Sequence, residues 1–190
     1  MNKTNKMSTE SMVLCAIMTA LVVLLQLLGA FVRFGPFSIS LVLIPIVIGT
    51  ATCGANVGAW LGLIFGLTVL LSGDAAAFLA VNVPGTIITV LLKGTACGYV
   101  AGLVYKALEK KNRYLAVISA AIICPVVNTG IFLIGCFAFF METIASWAGN
   151  DTIAHYIIFV LVGGNFIFEF LFNVVLSPVI VRLISIRKKG

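Results

Sequence analysis

Two ionisable side chains lie deep inside apolar stretches of the sequence and are the first candidates for chemistry. They are Lys93, within TIITVLLKGTACGYV, and Glu169, within FIFEFLFNVV. A charge inside a membrane costs about 2.5–3.5 kcal/mol on insertion scales, so such groups usually face a cavity or a partner. At 1.5 Å per residue, Lys93 is expected roughly 13 Å and Glu169 roughly 20 Å below the starts of their helices. Two interpretations stay open: a buried ion pair that fixes helix packing, or part of a binding site.

Polar amides accompany these two charges. Asn165, Glu169 and Asn173 are spaced i, i+4 and i+8, so they share one helix face. Asn128 lies in another apolar stretch, and Asn82 precedes a third. A lysine held in low dielectric attracts a carboxylate strongly, so these groups favour a small, polar and acidic ligand. This preference weakens if the glutamate already neutralises the lysine. The candidate ligand-binding residues are Asn82, Lys93, Asn128, Asn165 and Glu169.

No catalytic or metal-binding pattern accompanies this polar set. The sequence offers no nucleophile with a neighbouring base, no phosphate-binding loop and no cluster of metal ligands. The five cysteines are scattered singly without a CxxC pair, which is not the pattern of a disulfide framework or a zinc site. The single histidine, His155, is interpreted as an interfacial residue. We therefore expect neither an enzyme nor a bound metal or cofactor.

The elements that position these residues are predicted to be membrane helices. The chain is 62% hydrophobic and 9% charged, whereas soluble chains are typically about 45–50% apolar and about 25% charged. A crossing needs about 20 apolar residues, so 190 residues accommodate about six. We predict an all-α integral membrane protein forming a single membrane domain, residues 1–190. The six predicted spans are about 11–31, 38–52, 54–72, 84–105, 114–140 and 155–184, and the region 38–72 is also compatible with one broken hairpin.

The first apolar run resembles a signal peptide, because Lys3 and Lys6 precede it. A signal core has about 7–15 apolar residues, whereas this run is longer and is followed by further spans. We therefore expect it to be retained as a helix.

The basic residues predict the orientation. Ten of the twelve lie in the N-terminal tail, in residues 106–113 and in residues 182–189. The positive-inside rule places these segments and both termini in the cytoplasm, across the cell membrane. Orientation in the bilayer also accounts for the net charge of +6, so no nucleic-acid partner is expected. Segments 31–37, 72–84 and 141–154 then face outward, and 72–84 is interpreted either as a lid over a cavity or as a loop resting on lipid headgroups.

Small residues recur at intervals of four. Such stripes let helix backbones approach closely, and for glycine we favour packing within the chain. A pair of alanines in the first span has the same spacing, but alone it is a weak indication of an intermolecular contact. The stripes are Gly54, Gly58, Gly62 and Gly66, then Gly94, Gly98 and Gly102, and the pair is Ala16 and Ala20.

Several of these segments together resemble the S component, the substrate-binding subunit, of energy-coupling factor (ECF) transporters. They are the alanine pair, the run SISLVLIPIVIGT followed by GANVGAWLGLIFGL, and the segment SGDAAAFLAVNVPGTIITVLLKG. The resemblance covers nearly the whole chain, and the proline-containing turn with the glycine-rich helix behind it is its most specific part.

The resemblance implies a binding subunit that captures a vitamin outside the cell. It implies two kinds of partner, a transmembrane coupling subunit and two cytoplasmic ATPases, whose ATP hydrolysis topples the subunit so that its pocket opens inward. By resemblance, Ala16 and Ala20 contact the coupling subunit. The family's pocket lies on the outer side between the external loops and helices four to six, the same region as the polar residues above.

The substrate is less specifically indicated. Residues 72–94 look most like the pantothenate branch of the family, and a buried lysine suits the carboxylate of pantothenate. Riboflavin or another vitamin is the alternative within the family. Two rival classes remain: a small self-assembling channel or structural membrane protein, in which the glycine stripes are oligomer faces, and an intramembrane enzyme, for which the sequence lacks an acid, base and nucleophile together.

Overall fold

A computed structural model describes residues 8–31, 33–34, 37–38 and 41–187. Apart from a two-stranded antiparallel hairpin, the described secondary structure is helical. The strands are β1 (Arg33–Phe34) and β2 (Phe37–Ser38). The helices are α1 (Thr9–Phe31), α2 (Leu43–Cys53), α3 (Ala55–Ser72), α4 (Ala76–Leu79), α5 (Val83–Leu108), α6 (Arg113–Phe139), α7 (Met141–Ala148), α8 (Ile153–His155), a π-helix (Tyr156–Gly163) and α9 (Gly164–Arg187).

Within the described residues, five stretches are long and apolar enough to cross a membrane: Thr9–Ala30, Ala55–Ser72, Val83–Leu108, Arg113–Phe139 and Ile153–Pro178. Their existence and approximate limits were predicted from the sequence. The second predicted span, 38–52, differs, because its helix begins only at Leu43 and has 11 residues. That length gives about 16 Å, against a hydrocarbon core of about 30 Å. Six complete crossings are therefore not confirmed.

The short helix α2 belongs to the core of the bundle. It packs against α1, α3, α5, α6 and α9. Leu43, Ile46 and Val47 are completely buried. An apolar run of this length is more typical of a buried helix than of a membrane span, which agrees with its position.

Helix α5 is central because it makes the most extensive helix contacts, with α3 on one side and α6 on the other. Its glycines meet those of α3 directly. A Cβ added at Gly62 would overlap the backbone carbonyl of Gly94, and one added at Gly58 would overlap that of Gly98. The predicted packing within the chain is thus confirmed for these residues. Gly54 is the exception, since it lies between α2 and α3 with φ 98° and no atom within 4 Å of an added Cβ.

Candidate functional site

A partly open cavity of about 100 Å³ lies among α1, α3, α5, α6, the π-helix, α9 and the segment that follows α3. A water molecule needs roughly 10–15 Å³ on this kind of measure, so the space holds several waters or part of a small organic molecule. Its wall combines aromatic rings with charged and amide side chains. The lining residues are Gln26, Phe65, Val69, Asp74, Ala75, Phe78, Thr86, Thr89, Val90, Lys93, Asn128, Thr129, Phe132, Phe140, Leu161, Val162, Phe166 and Glu169.

Lys93 and Glu169 both reach this cavity, from α5 and α9. The Lys93 Nζ lies 5.8 Å from the centre of the Phe65 ring and 5.2 Å from that of Phe132. Both distances suit attraction between a cation and an aromatic face. The structure therefore brings Lys93 and Glu169 to the wall of one cavity, as both interpretations of the sequence require.

Asn128 is the third predicted residue that the structure brings to this wall. It is 5% exposed and lies on α6, within three residues of the proline inside that helix. Thr89 on α5 faces the same space and is 4% exposed. Buried polar side chains from two neighbouring helices thus line the same cavity as the lysine.

Gln26 belongs to the cavity wall and was missed from the sequence. It is 2% exposed on α1, and its Nε2 donates a hydrogen bond to the Asp74 carboxylate. One signal was available, because Gln26 is the only amide in the long apolar run of the first helix. A polar residue in such a run usually faces a cavity or a partner.

Residues 72–84 contribute to the cavity wall. Gly73, whose left-handed backbone (φ 85°) ends α3, lies near the start of this segment. It continues into the short helix α4, where Phe78 packs edge-to-face against Phe132, Phe140 and Trp147 at centroid distances of 5.6, 5.0 and 5.5 Å. Asp74 and Phe78 both line the cavity. The segment therefore forms part of the cavity wall.

The other predicted site residues have different positions. Asn82 caps the start of α5, where its Oδ1 accepts a hydrogen bond of 2.9 Å from the backbone N–H of Gly85, and it does not line the cavity. The side chain of Asn165 lies outside the described residues. Asn173 is buried, and its Nδ2 donates to the backbone carbonyl of Glu169 at 2.8 Å. Asn82 and Asn173 therefore have structural contacts that sequence spacing did not reveal.

A second concave surface lies on the outside of α1. Ala16 and Ala20 are exposed in an apolar groove, next to Trp60 of α3. The indole Nε1 of Trp60 donates to Thr19 Oγ1 at 3.3 Å, which holds the large ring at the edge of the groove. The small alanines leave room there for another helix.

A helical membrane bundle with a mostly apolar cavity that a few polar side chains line has the features of a protein that binds a small molecule. The family model "ECF transporter, substrate-specific component" matches residues 10–184. The chain therefore belongs to the family of substrate-specific components of ECF transporters. A comparison with curated proteins finds no match.

Family membership fixes the general role. The family is a transporter component and not an enzyme family. Its members bind small-molecule substrates and work with a transmembrane coupling subunit and ATPases. Together with the long apolar helices, this identifies a multi-pass protein of the cell membrane.

Proposed function

We propose that this chain captures a vitamin that carries a carboxylate, with pantothenate favoured, in the cavity beside Lys93. The observation that carries the proposal is the position of this partly buried lysine in the wall of a mostly apolar cavity. In such surroundings, electrostatic attraction to an anion is much stronger than in water. A carboxylate at this position replaces water around the ammonium group of Lys93.

The arrangement of charges restricts where the carboxylate binds. Asp74 and Glu169 also line the cavity, so a ligand anion is repelled from their side. Lys93 lies over the rings of Phe65 and Phe132, which places its charge among apolar surfaces. The ligand therefore directs its carboxylate toward the lysine and the ring pair. Polar groups elsewhere on the ligand then face Asn128 and Glu169, and Asn165 of the predicted set precedes Glu169 by four residues on the same helix.

Pantothenate is favoured over riboflavin for two reasons. Residues 72–94 look most like the pantothenate branch of the family, and this segment supplies several cavity residues. Riboflavin has no carboxylate to pair with Lys93. Riboflavin and other vitamins remain the alternatives within the family.

The exposed groove supports the second half of the proposed function, which is coupling to transport. Ala16 and Ala20 lie on the outer face of α1, away from the cavity lining. We place the transmembrane coupling subunit against this groove and both termini in the cytoplasm. ATP hydrolysis by the partner ATPases then drives release of the vitamin inward.

The channel alternative loses its main support. Its oligomer faces were the glycine stripes, and the structure uses Gly58, Gly62, Gly94 and Gly98 for contact between α3 and α5. A Cβ at any of these positions would overlap atoms of the same chain. These residues are consequently not available to a second copy.

Native mass spectrometry of the purified protein tests the proposed function. We expect a bound small molecule whose mass identifies a carboxylate-bearing vitamin. The wild type is then titrated with pantothenate and with its neutral amide analogue, and the acid is expected to bind much more tightly. A neutral bound vitamin, or equal affinity for acid and amide, would contradict the proposed role of Lys93.

A further inference from the structure

Three buried side chains on three helices present polar atoms without hydrogen-bond partners. They are Gln26 on α1, Thr89 on α5 and Asn128 on α6, which are 2%, 4% and 5% exposed. Within the described part of the chain, Gln26 Oε1, Thr89 Oγ1 and Asn128 Oδ1 have no partner. All three residues line the cavity. Buried polar atoms normally have partners, and the cavity is the space beside these three residues where a ligand or water can supply them.

The chemistry of Gln26 fixes which of its atoms is available. The Asp74 carboxylate accepts hydrogen bonds, so the amide nitrogen of Gln26 faces Asp74. The carbonyl oxygen Oε1 is then the atom left for the cavity, and a carbonyl oxygen accepts but does not donate. Asn128 presents the same kind of atom from the neighbouring wall.

We infer that the cavity recognises its ligand through hydrogen-bond donors, hydroxyl or amide N–H groups of the ligand that the carbonyl oxygens of Gln26 and Asn128 accept. This inference rests on the proposed function, because it takes the cavity to be the ligand site. The expected ligands are then a subset of the acids. They carry a carboxylate for Lys93 and hydrogen-bond donor groups at a distance from that carboxylate. The Thr89 hydroxyl both donates and accepts, so it adapts to either kind of ligand group.

Donor recognition gives strong selectivity at buried positions. A site built to accept a hydrogen bond rejects an analogue without the donor. The buried acceptor of the protein then has neither a ligand group nor water as its partner. For a single lost donor we expect affinity to fall roughly 10- to 100-fold. Gln26 and Asn128 are thus specificity-determining residues, and Asp74 is the positioning residue for Gln26.

The binding test compares pantothenate with analogues in which one hydroxyl group is replaced by fluorine. Fluorine is close to a hydroxyl in size but cannot donate a hydrogen bond. The wild type is expected to bind at least one analogue roughly 10- to 100-fold more weakly than pantothenate. Asn128→Leu or Gln26→Leu should bind pantothenate more weakly and lose most of that discrimination. Equal discrimination in the wild type and in both variants would overturn the inference.

The stability of the ligand-free protein gives a second readout that does not depend on the vitamin. If only water or ligand satisfies Asn128, the Asn128→Leu variant should keep or raise its melting temperature in detergent. A fall of more than about 4 °C would show that Asn128 holds the helices together, and would also overturn the inference. Asn112→Leu is the matched control: Asn112 caps α6 by accepting from the Leu115 N–H, so this variant should melt earlier without altering the discrimination.

The two proposals fail separately. If the wild type does not bind pantothenate, the choice of that vitamin is wrong. The molecule found by native mass spectrometry then replaces it in the fluorine series, and the melting temperature of Asn128→Leu still decides whether the acceptor is structural.

Discussion

Replacing Gly62 by alanine should destabilise the bundle more than any other single methyl group added to α3. The new Cβ would overlap the Gly94 carbonyl oxygen, and would lie 2.6 Å from its carbonyl carbon and 3.2 Å from the Cα of Thr95. All three are backbone atoms, which cannot rotate out of the way as a side chain does. The helices α3 and α5 must then separate locally by roughly 1 Å, in a densely packed interior that tolerates little change of volume.

The expected cost follows from the extent of this contact. Overpacking a well-packed core costs about 1–3 kcal/mol. We expect the upper end, because α3 and α5 form the most extensive helix pair of the described structure and the obstacle is backbone. For a chain of this length, each kcal/mol corresponds to about 2–4 °C. Gly62→Ala should therefore lower the melting temperature by about 6–12 °C.

The assay is thermal unfolding in detergent without ligand, followed by size-exclusion chromatography after heating. Gly130→Ala on α6 is the matched control, because a Cβ there meets no atom within 4 Å. That variant should be unchanged or more stable, since alanine is a better helix former than glycine by about 0.5–1 kcal/mol. Equal melting temperatures for the two variants would refute the assignment of Gly62 to a backbone-to-backbone helix contact.

Three further predictions address binding, coupling and orientation. Lys93→Met should weaken binding of the acid by about 2–5 kcal/mol, which is roughly thirty- to several-thousand-fold in affinity. The variant should also lose most of the preference for the acid over the amide. An unchanged ratio of acid to amide affinity in a folded variant would show that the lysine is structural. Ala16→Trp or Ala20→Trp should stop uptake in cells, because the large side chain prevents close approach of the partner helix. Ligand affinity, measured by calorimetry, should stay nearly intact. A loss of affinity equal to the loss of uptake would contradict a partner-facing role. In a cysteine-free background, an impermeant thiol reagent applied to intact cells should label Ala77→Cys but not Lys110→Cys, and the opposite pattern would reverse the topology.

The fold was largely predictable where hydropathy alone decides the outcome. The long apolar runs gave five membrane helices close to their observed limits, and the fourfold glycine spacing indicated close helix contact. The prediction for residues 38–52 differed from the structure in length, because the helix begins only at Leu43 and is too short to span a membrane. Hydropathy measures only how apolar a segment is, and a helix buried among other helices is as apolar as one facing lipid.

The candidate site was predictable in part. An ionisable or amide residue inside an apolar run must avoid lipid, which is why Lys93, Asn128 and Glu169 were found from the sequence and share one cavity. The same reasoning gave Asn82, whose side chain instead caps α5. It passed over Gln26, although Gln26 lies in an equally apolar helix.

By itself, then, the sequence determined that the chain spans the membrane, that it belongs with the ECF substrate-binding subunits, and that a few polar groups must lie away from lipid. Tertiary structure alone decided which of those groups face one cavity, that Lys93 lies over the Phe65 and Phe132 rings, and that Asp74 orients Gln26. The physical reason is that insertion energy depends on the composition of each helix separately. The meeting of two side chains depends on the rotation and depth of both helices, which are set by packing between residues far apart in the chain.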